Sequence, residues 1–177
     1  MNCPYITKTG DKGKTSIMNK RVYKNSDLIQ FLGGLDEINS YIGLIVNYAP
    51  DNLKKTLMSI QNQLLNIGGF ISGGSIEIND KYHSWVEAES NEFFKALENA
   101  NNFVLPGGSI LSSHLHIARC VIRRVEILFW KLDEDTRCDH IAKYMNRLSD
   151  LFFVLSRLHG ESKECLWQIG EIDYDIK

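Results

Sequence analysis

The chain has 177 residues, of which 44% are hydrophobic and 24% are charged, and its formal net charge is −2. This length predicts a single domain over residues 1–177 with a core of its own, and the composition excludes a wholly disordered chain. The near-neutral charge excludes the basic surplus of a non-specific nucleic-acid binder, although it is compatible with a small basic pocket.

No apolar run reaches the roughly 18–20 residues that are needed to span a bilayer. The N-terminal residues also lack the apolar centre of a secretory signal. The four cysteines, Cys3, Cys120, Cys138 and Cys165, form no C-x-x-C pair, which favours reduced thiols over a disulfide framework. We therefore expect a cytoplasmic protein without a membrane or nucleic-acid partner.

Residues 1–25 form a glycine- and lysine-rich arm, in which residues 5–16 read YITKTGDKGKTS. The last residues of this stretch look like the end of a P-loop, but Lys8 stands where that motif needs its first glycine. A P-loop also needs a preceding buried strand, which the sequence does not show. The P-loop interpretation therefore fails.

The arm nevertheless contains the ingredients of a phosphate site. Gly10 and Gly13 let backbone N–H groups turn toward an anion, while lysines supply positive charge and hydroxyl groups donate hydrogen bonds. The same composition is typical of a flexible, solvated arm. The residues by themselves leave both interpretations open.

Four strong helices are predicted by apolar residues that recur in alternating steps of three and four, and a weaker fifth helix is predicted over residues 81–100. The strong patterns cover residues 28–46, 53–71, 111–132 and 141–155. Steps that average 3.5 residues suit near-parallel packing, so we predict an all-α, five-helix up-down bundle in residues 26–160. Residues 161–177 form a C-terminal tail outside this pattern.

Capping residues and glycines predict where these helices begin and end. N-caps are expected at Ser26, at Asp51, at Ser109 or the glycines before it, and at Asp139. Breaks between helices are expected at Gly73-Gly74 and Gly107-Gly108, and Gly160 is expected to end the last helix.

Charged residues lie beside the apolar stripe of the fourth predicted helix. Arg119, Arg123 and Glu126 are spaced by four and three residues and therefore share one face. Two arginines one turn apart suit an oxygen anion, but ordinary surface ion pairs explain the pattern equally well. His114 and His116 diverge around the same helix by about 200°, so no metal site is expected on the protein.

Polar residues also interrupt the apolar stripes of the first and last helices. Asp36 and Asn39 lie near the stripe of the first helix, where a polar group costs free energy unless it is paired. Asn146 and Phe153 belong to a polar and aromatic face of the last helix. In a bundle these faces converge or meet another subunit.

Five segments occur in order along the chain: TKTGDKGKTS near the start, GLDEINSYIG at 34–43, FVLPGG at 103–108, RCVIRRVE at 119–126 and NRLSDLFF at 146–153. Together they resemble the PduO-type ATP:cob(I)alamin adenosyltransferases over roughly residues 5–159. The resemblance implies a ferritin-like five-helix bundle that assembles as a homotrimer with active sites at subunit boundaries. It also implies transfer of the 5′-deoxyadenosyl group of ATP to cob(I)alamin, with release of triphosphate and with Mg²⁺ on the phosphates.

The same resemblance implies roles for particular residues. Arg123 would bind the triphosphate, and Asp36 would pair with Arg119 across the subunit boundary. Phe103 would displace the lower axial ligand of cobalt, and Phe153 would line the same corrin cavity. The nucleotide site would comprise Thr7, Lys8, Thr9, Gly10, Thr15, Ser16, Lys24, Arg123, Glu126 and Asn146. A cob(II)alamin reductase or an adenosylcobalamin-dependent enzyme would be a protein partner.

The chain departs from the family pattern at several positions. Ile127 replaces an arginine, His114 and Gly34 replace a small residue and a threonine, and residues 28–32 lack an acidic residue. The charge lost at Ile127 motivates an alternative, a non-catalytic trimer that binds ATP and cobalamin as a carrier or sensor. A purely structural bundle would bind neither ligand.

Overall fold

The computed structural model describes residues 3–160 and 164–174, so part of the predicted arm and of the predicted tail lies outside the described residues. The described chain contains a β-hairpin followed by five long helices and one short 3₁₀ turn, Glu134–Thr136. The elements are β1 (Lys14–Ile17), β2 (Lys20–Tyr23), α1 (Asp27–Val46), α2 (Asp51–Ile71), α3 (Asp80–Phe94), α4 (Ile110–Phe129) and α5 (Asp139–Leu158). The predicted all-α, five-helix bundle is confirmed, and the hairpin is an addition that the sequence analysis missed.

Neighbouring helices in the bundle follow the order α2, α1, α4, α5, α3. α4 and α5 are antiparallel, because the Ser112 hydroxyl at the start of α4 donates to the carbonyl oxygen of Ser156 near the end of α5, at 2.7 Å. α3 runs parallel to α5, with Glu87 bonded to Arg147 at 2.9 Å. None of the described helices is long and apolar enough to cross a membrane.

The predicted apolar stripes form the core of the bundle. Leu57 and Leu64 of α2 and Ile122 of α4 are among the residues that solvent does not reach. Phe31 of α1 packs against Phe129 of α4 with ring centroids 5.6 Å apart. Each fully buried side chain of this kind contributes about 1.5–3 kcal/mol, so the 3.5-residue pattern is the main source of the fold's stability.

The helix boundaries confirm some of the predicted caps and correct others. The Ser109 Oγ accepts a hydrogen bond from the Ser112 backbone N–H at 2.9 Å, as a cap should. The Ser26 hydroxyl instead donates to the Tyr23 carbonyl oxygen, so its side chain caps nothing. Asp51 and Asp139 lie in the first turn of α2 and α5, where a carboxylate stabilises the positive end of the helix dipole.

The N-cap positions of α2 and α5 are held by Pro50 and Cys138, which bond no backbone N–H through their side chains. α3 ends at Phe94 rather than at residue 100, and none of residues 95–100 is buried in the core. Gly73, Gly107 and Gly108 all have positive φ angles, which confirms the two predicted breaks.

Gly34 lies where α1 approaches α4 most closely. A Cβ atom at this position would stand 2.7 Å from Cγ2 of Val125, which is fully buried. The neighbouring Gly33 has no atom within 4 Å of the corresponding point. Glycine at position 34 therefore permits the close contact of the two helices.

We expect Gly34→Ala to lower the free energy of unfolding by about 1–3 kcal/mol, because the added methyl group overpacks the contact with Val125. The matched control is Gly33→Ala, which should raise it by up to about 1 kcal/mol through helix propensity. Urea denaturation at one fixed protein concentration measures both changes. Equal effects of the two substitutions would contradict the close contact.

Candidate functional site

One arginine organises the N-terminal arm. Arg21 lies opposite Ser16 in the register of β1 and β2. Its guanidinium donates to the carbonyl oxygens of Thr9 at 2.7 Å and of Lys14 at 3.2 Å, and to the Ser16 hydroxyl at 3.1 Å. These bonds hold the glycine-rich loop against the hairpin, so the arm has a defined conformation.

The sequence analysis missed both Arg21 and the hairpin. The two strands are joined by Met18 and Asn19, and Met18 has a φ angle of +47°. Two-residue hairpin loops are normally recognised by glycine or by an Asn-Gly pair at such a position. The remaining signal for a hairpin was the strand-like alternation of side chains in residues 14–23. This signal is weak, because each strand has only four residues.

Of the predicted nucleotide residues of the arm, residues 7–10 lie in this loop, Thr15 and Ser16 lie on β1, and Lys24 follows β2. The hydroxyl groups of Thr7 and Thr9 are 2.9 Å apart, and Lys8 has a φ angle of +57°. A Cβ atom on Gly10 would lie 2.9 Å from the Lys24 ammonium nitrogen, so Lys24 reaches over the loop. The arm thus combines hydroxyl groups with lysine ammonium groups, among them those of Lys8 and Lys24, and these can bind an anion.

A second group of predicted residues lies on α4 and α5. The Arg119 guanidinium lies 5.3 Å from the centre of the Phe153 ring, and the His116 ring packs edge-on against the same phenylalanine. The side chains of Arg123 and Glu126 make no hydrogen bond or ion pair with any of the described residues, whereas the neighbouring Arg124 is paired with Glu37 of α1. The exposed Arg123 guanidinium is therefore available to an anion.

Asn146 is exposed on α5, and its side-chain oxygen accepts a hydrogen bond from Arg147 at 3.0 Å. Within residues 3–160 and 164–174, no hydrogen bond or ion pair joins the arm to α4 or α5. The structure therefore presents two separate groups of anion-binding side chains, one on the arm and one on the α4–α5 face.

Asp36 lies in a groove of about 220 Å³ between α1 and α2. Its carboxylate is exposed and, like Arg119, has no ion-pair partner in the described part of the chain. Asn39 lines the same groove, and its side-chain oxygen is buried without a hydrogen bond. The groove thus presents the exposed Asp36 carboxylate to a group from outside the chain, whereas the unpaired Asn39 oxygen is buried.

A cavity of about 570 Å³ lies beneath the loop that contains Phe103. Its lining includes His116 and Ser112 of α4 and Ser156 and Arg157 of α5. Phe103 itself is 75% exposed and packs against Trp167, with ring centroids 5.9 Å apart. The cavity is mainly apolar at its loop side and polar at its helix side, as expected for a large ligand with polar edges.

The structure shows what surrounds His114 and Ile127, two positions at which the sequence departs from the expected family pattern. His114 Nδ1 lies 2.8 Å from the Tyr41 hydroxyl, and the His114 ring stacks on Tyr48 at 5.3 Å. Ile127 is 62% exposed on α4. Its apolar side chain therefore lies outside the core. No group of three or more metal-ligating side chains occurs among the described residues.

The family model for cobalamin adenosyltransferase matches residues 5–159, which are most of the chain. The chain belongs to this family. It is 32% identical over 181 residues to the corrinoid adenosyltransferase of Bacillus subtilis. The aligned region covers 96% of this chain and 91% of that relative. It is 35% identical to the corrinoid adenosyltransferase of Mycobacterium tuberculosis strain H37Rv, over 93% and 92% of the two chains.

Solved structures agree with these sequence matches. A variant of the PduO-type ATP:corrinoid adenosyltransferase from Lactobacillus reuteri, complexed with cobalamin and ATP, superposes with a TM-score of 0.85. The match covers 93% of this chain and 97% of that chain at 27% identity. A second variant, complexed with ATP, has a TM-score of 0.83 and 29% sequence identity. This match covers 92% of this chain and 99% of that chain. The resemblance that the five sequence segments indicated is confirmed.

His116 of α4 and His159 at the end of α5 make the stability of the folded chain depend on pH. Burial, together with the charge of Arg119, lowers the pKa of His116 below its ordinary value of 6.5. Burial likewise lowers the pKa of His159. Both rings bind a proton more readily in the unfolded chain than in the folded one, so acid favours unfolding through these two groups.

We expect the free energy of unfolding to fall as the pH drops below about 6.5, where the unfolded chain gains protons that the folded chain resists. Urea midpoints at pH 7.5 and 5.5 measure the change. His116→Asn and His159→Asn should each make the pH dependence shallower. An unchanged slope in both test variants would show that these histidines are not responsible.

Proposed function

We propose that the chain transfers the 5′-deoxyadenosyl group of ATP to cob(I)alamin and releases triphosphate. The observation that carries the proposal is the match over nearly the whole length to a protein whose structure contains both cobalamin and ATP. The unpaired Arg123 and the loop of Thr7, Lys8 and Lys24 support it, because a departing triphosphate needs cations and hydrogen-bond donors.

The reaction makes modest chemical demands on the protein. The cobalt of cob(I)alamin supplies an electron pair to the 5′ carbon of ATP, so the Co–C bond forms as the C5′–O bond breaks and triphosphate leaves. Since cob(I)alamin is already a strong nucleophile, no protein base is needed at this carbon. The protein holds the two substrates in line and stabilises the leaving group.

The nucleotide is assigned to the arm and to the polar face of α4 and α5. Thr7, Thr9, Thr15, Ser16 and the loop backbone at Gly10 donate hydrogen bonds, and Lys8 and Lys24 add charge. Arg123 binds the triphosphate through its two-pronged guanidinium. Glu126 and Asn146 complete this site, and Mg²⁺ enters with the phosphates of ATP.

We assign the complete site to the boundary between subunits of a homotrimer. Three observations support a shared site: Asp36 lacks a partner, Arg119 lacks an ion-pair partner, and no hydrogen bond or ion pair joins the arm to α4 or α5 in the described residues. Asp36 of one subunit pairs with Arg119 of the next. This pair then brings the two groups of anion-binding side chains to one ATP molecule.

The corrin ring is assigned to the cavity beside Phe103 and Phe153. The Lactobacillus reuteri structures carry substitutions of a phenylalanine and of an arginine twenty positions apart, and Phe103 and Arg123 have the same separation here. Phe103 is assigned to the lower face of cobalt, because its ring is mostly exposed and the residue adjoins Val104, which lines the cavity. Loss of the lower axial ligand makes Co(II) easier to reduce.

The direct test mixes the protein with MgATP and chemically reduced cobalamin. We expect the Co(I) absorption spectrum to convert to that of adenosylcobalamin faster than in a protein-free control. Calorimetric binding of both ligands without conversion would favour the carrier or sensor alternative. Absence of binding would favour a purely structural bundle.

We expect Arg123→Ala to lower the rate of adenosyl transfer by roughly 10²-fold or more, because the leaving triphosphate loses its guanidinium contact. Arg137→Ala is the matched control, since Arg137 packs against Trp130 and the proposal gives it no role in binding ATP. Steady-state rates with saturating ATP measure both variants. A near-normal rate in Arg123→Ala would remove this residue from the triphosphate site.

We expect Phe103→Ala to slow the reaction that starts from cob(II)alamin and a reductant more than the reaction that starts from preformed cob(I)alamin. The reason is that only the first route needs the lower ligand displaced. Phe94→Ala, at the exposed end of α3, serves as the control. Equal losses by both routes would argue against ligand displacement by Phe103.

A further inference from the structure

Residues 164–174, which we call the strap, return from the end of α5 and pair with the loop that contains Phe103. The backbone N–H of Leu105 donates to the Cys165 carbonyl oxygen at 2.8 Å, and that of Trp167 donates to the Phe103 carbonyl oxygen at 2.8 Å. Val104 and Leu166 form the β-bridge between these two bonds. The Phe103 loop is therefore one strand of a short ladder whose other strand is the strap.

A buried ion pair anchors the beginning of the strap. Arg157 of α5 donates to both carboxylate oxygens of Glu164, at 2.7 and 3.1 Å, and its side chain is only 7% exposed. The same guanidinium donates to the Glu98 carbonyl oxygen at 2.8 Å, in the segment that leads to Phe103. One arginine thus ties together α5, the strap and the approach to the loop.

Trp167 supports Phe103 directly. The two rings pack at 5.9 Å with a tilt of 56°, and no other described aromatic ring contacts Phe103. The Asn102 side chain donates to the Trp167 carbonyl oxygen at 2.7 Å, which fixes the strap beside the ring. On its other side the loop continues into Gly107 and Gly108, which adopt positive φ angles that glycine accommodates.

We propose that the strap is a positioning element of the corrin site, in which Trp167 packs against Phe103 and holds its ring next to Val104, which lines the cavity. The strap also closes one side of that cavity with Glu164, Cys165 and Tyr174. This inference rests on the proposed function, since it assigns the corrin ring to the same cavity. It identifies Trp167 as a positioning residue for the ring, separate from the ATP-binding groups.

The kinetic test compares Trp167→Ala with Trp130→Ala, a matched change at an exposed tryptophan beyond the end of α4. We expect Trp167→Ala to raise the KM for cobalamin and to slow the reaction from cob(II)alamin, each by about tenfold, as loss of one aromatic pair predicts. The KM for ATP should not change, and Trp167→Phe should restore most of the loss. Unchanged kinetics, or an equal rise in both KM values, would overturn the proposal.

A second measurement does not depend on turnover. Amide hydrogen exchange of the wild type with cob(II)alamin and MgATP should show slower exchange at Leu105 and Trp167 than with MgATP alone. Glu164→Gln, which removes the charge that anchors the strap, should abolish that difference. If exchange at these amides does not respond to cob(II)alamin, the strap does not contact the corrin site.

The two proposals fail in different ways. Absence of adenosyl transfer with a clear cobalamin effect on the exchange of Leu105 and Trp167 would reject the enzyme and keep the strap. Normal transfer in the wild type with wild-type behaviour of Trp167→Ala and Glu164→Gln would keep the enzyme and reject the strap.

Discussion

The structure depends on the amphipathic character of α4, which has a buried apolar side flanked by charged residues. One side of this helix is buried between α1 and α5, with Ile122 and Val125 fully inaccessible to solvent. The side chains that flank this buried side include Arg119 and Arg123. Because the apolar side must be buried for the bundle to fold, the helix cannot rotate, and the arginines are held at fixed positions along the bundle.

This constraint explains why cations remain unpaired in a chain of net charge −2. Arg124 and Arg147 find carboxylates on neighbouring helices, whereas Arg123 finds none among the described residues. An unpaired charge adds nothing to the stability of the free chain. It can, however, bind a polyanionic ligand without first breaking an ion pair. The proposed triphosphate site uses this difference between neighbouring arginines.

The loop of Phe103 shows a different physical solution. Phe103 exposes three-quarters of its surface, so the core does not hold it. Its position comes from backbone hydrogen bonds to a segment more than sixty residues later in the chain, anchored by the buried pair of Arg157 and Glu164. A ligand site built in this way can be rigid while its aromatic ring stays accessible.

The sequence by itself determined the five helices, because burial imposes a 3.5-residue pattern that is strong over about twenty residues. The ordered motifs also determined the family, which the comparisons confirm. Local signals failed at Ser26, Asp51 and Asp139, where a side chain's type did not settle which backbone group it bonds. Only the tertiary structure decided that Arg21 orders the arm, that Gly34 meets Val125 and that Trp167 supports Phe103. No repeating pattern in the sequence links the residues of these contacts. They come together only when the chain is folded and packed.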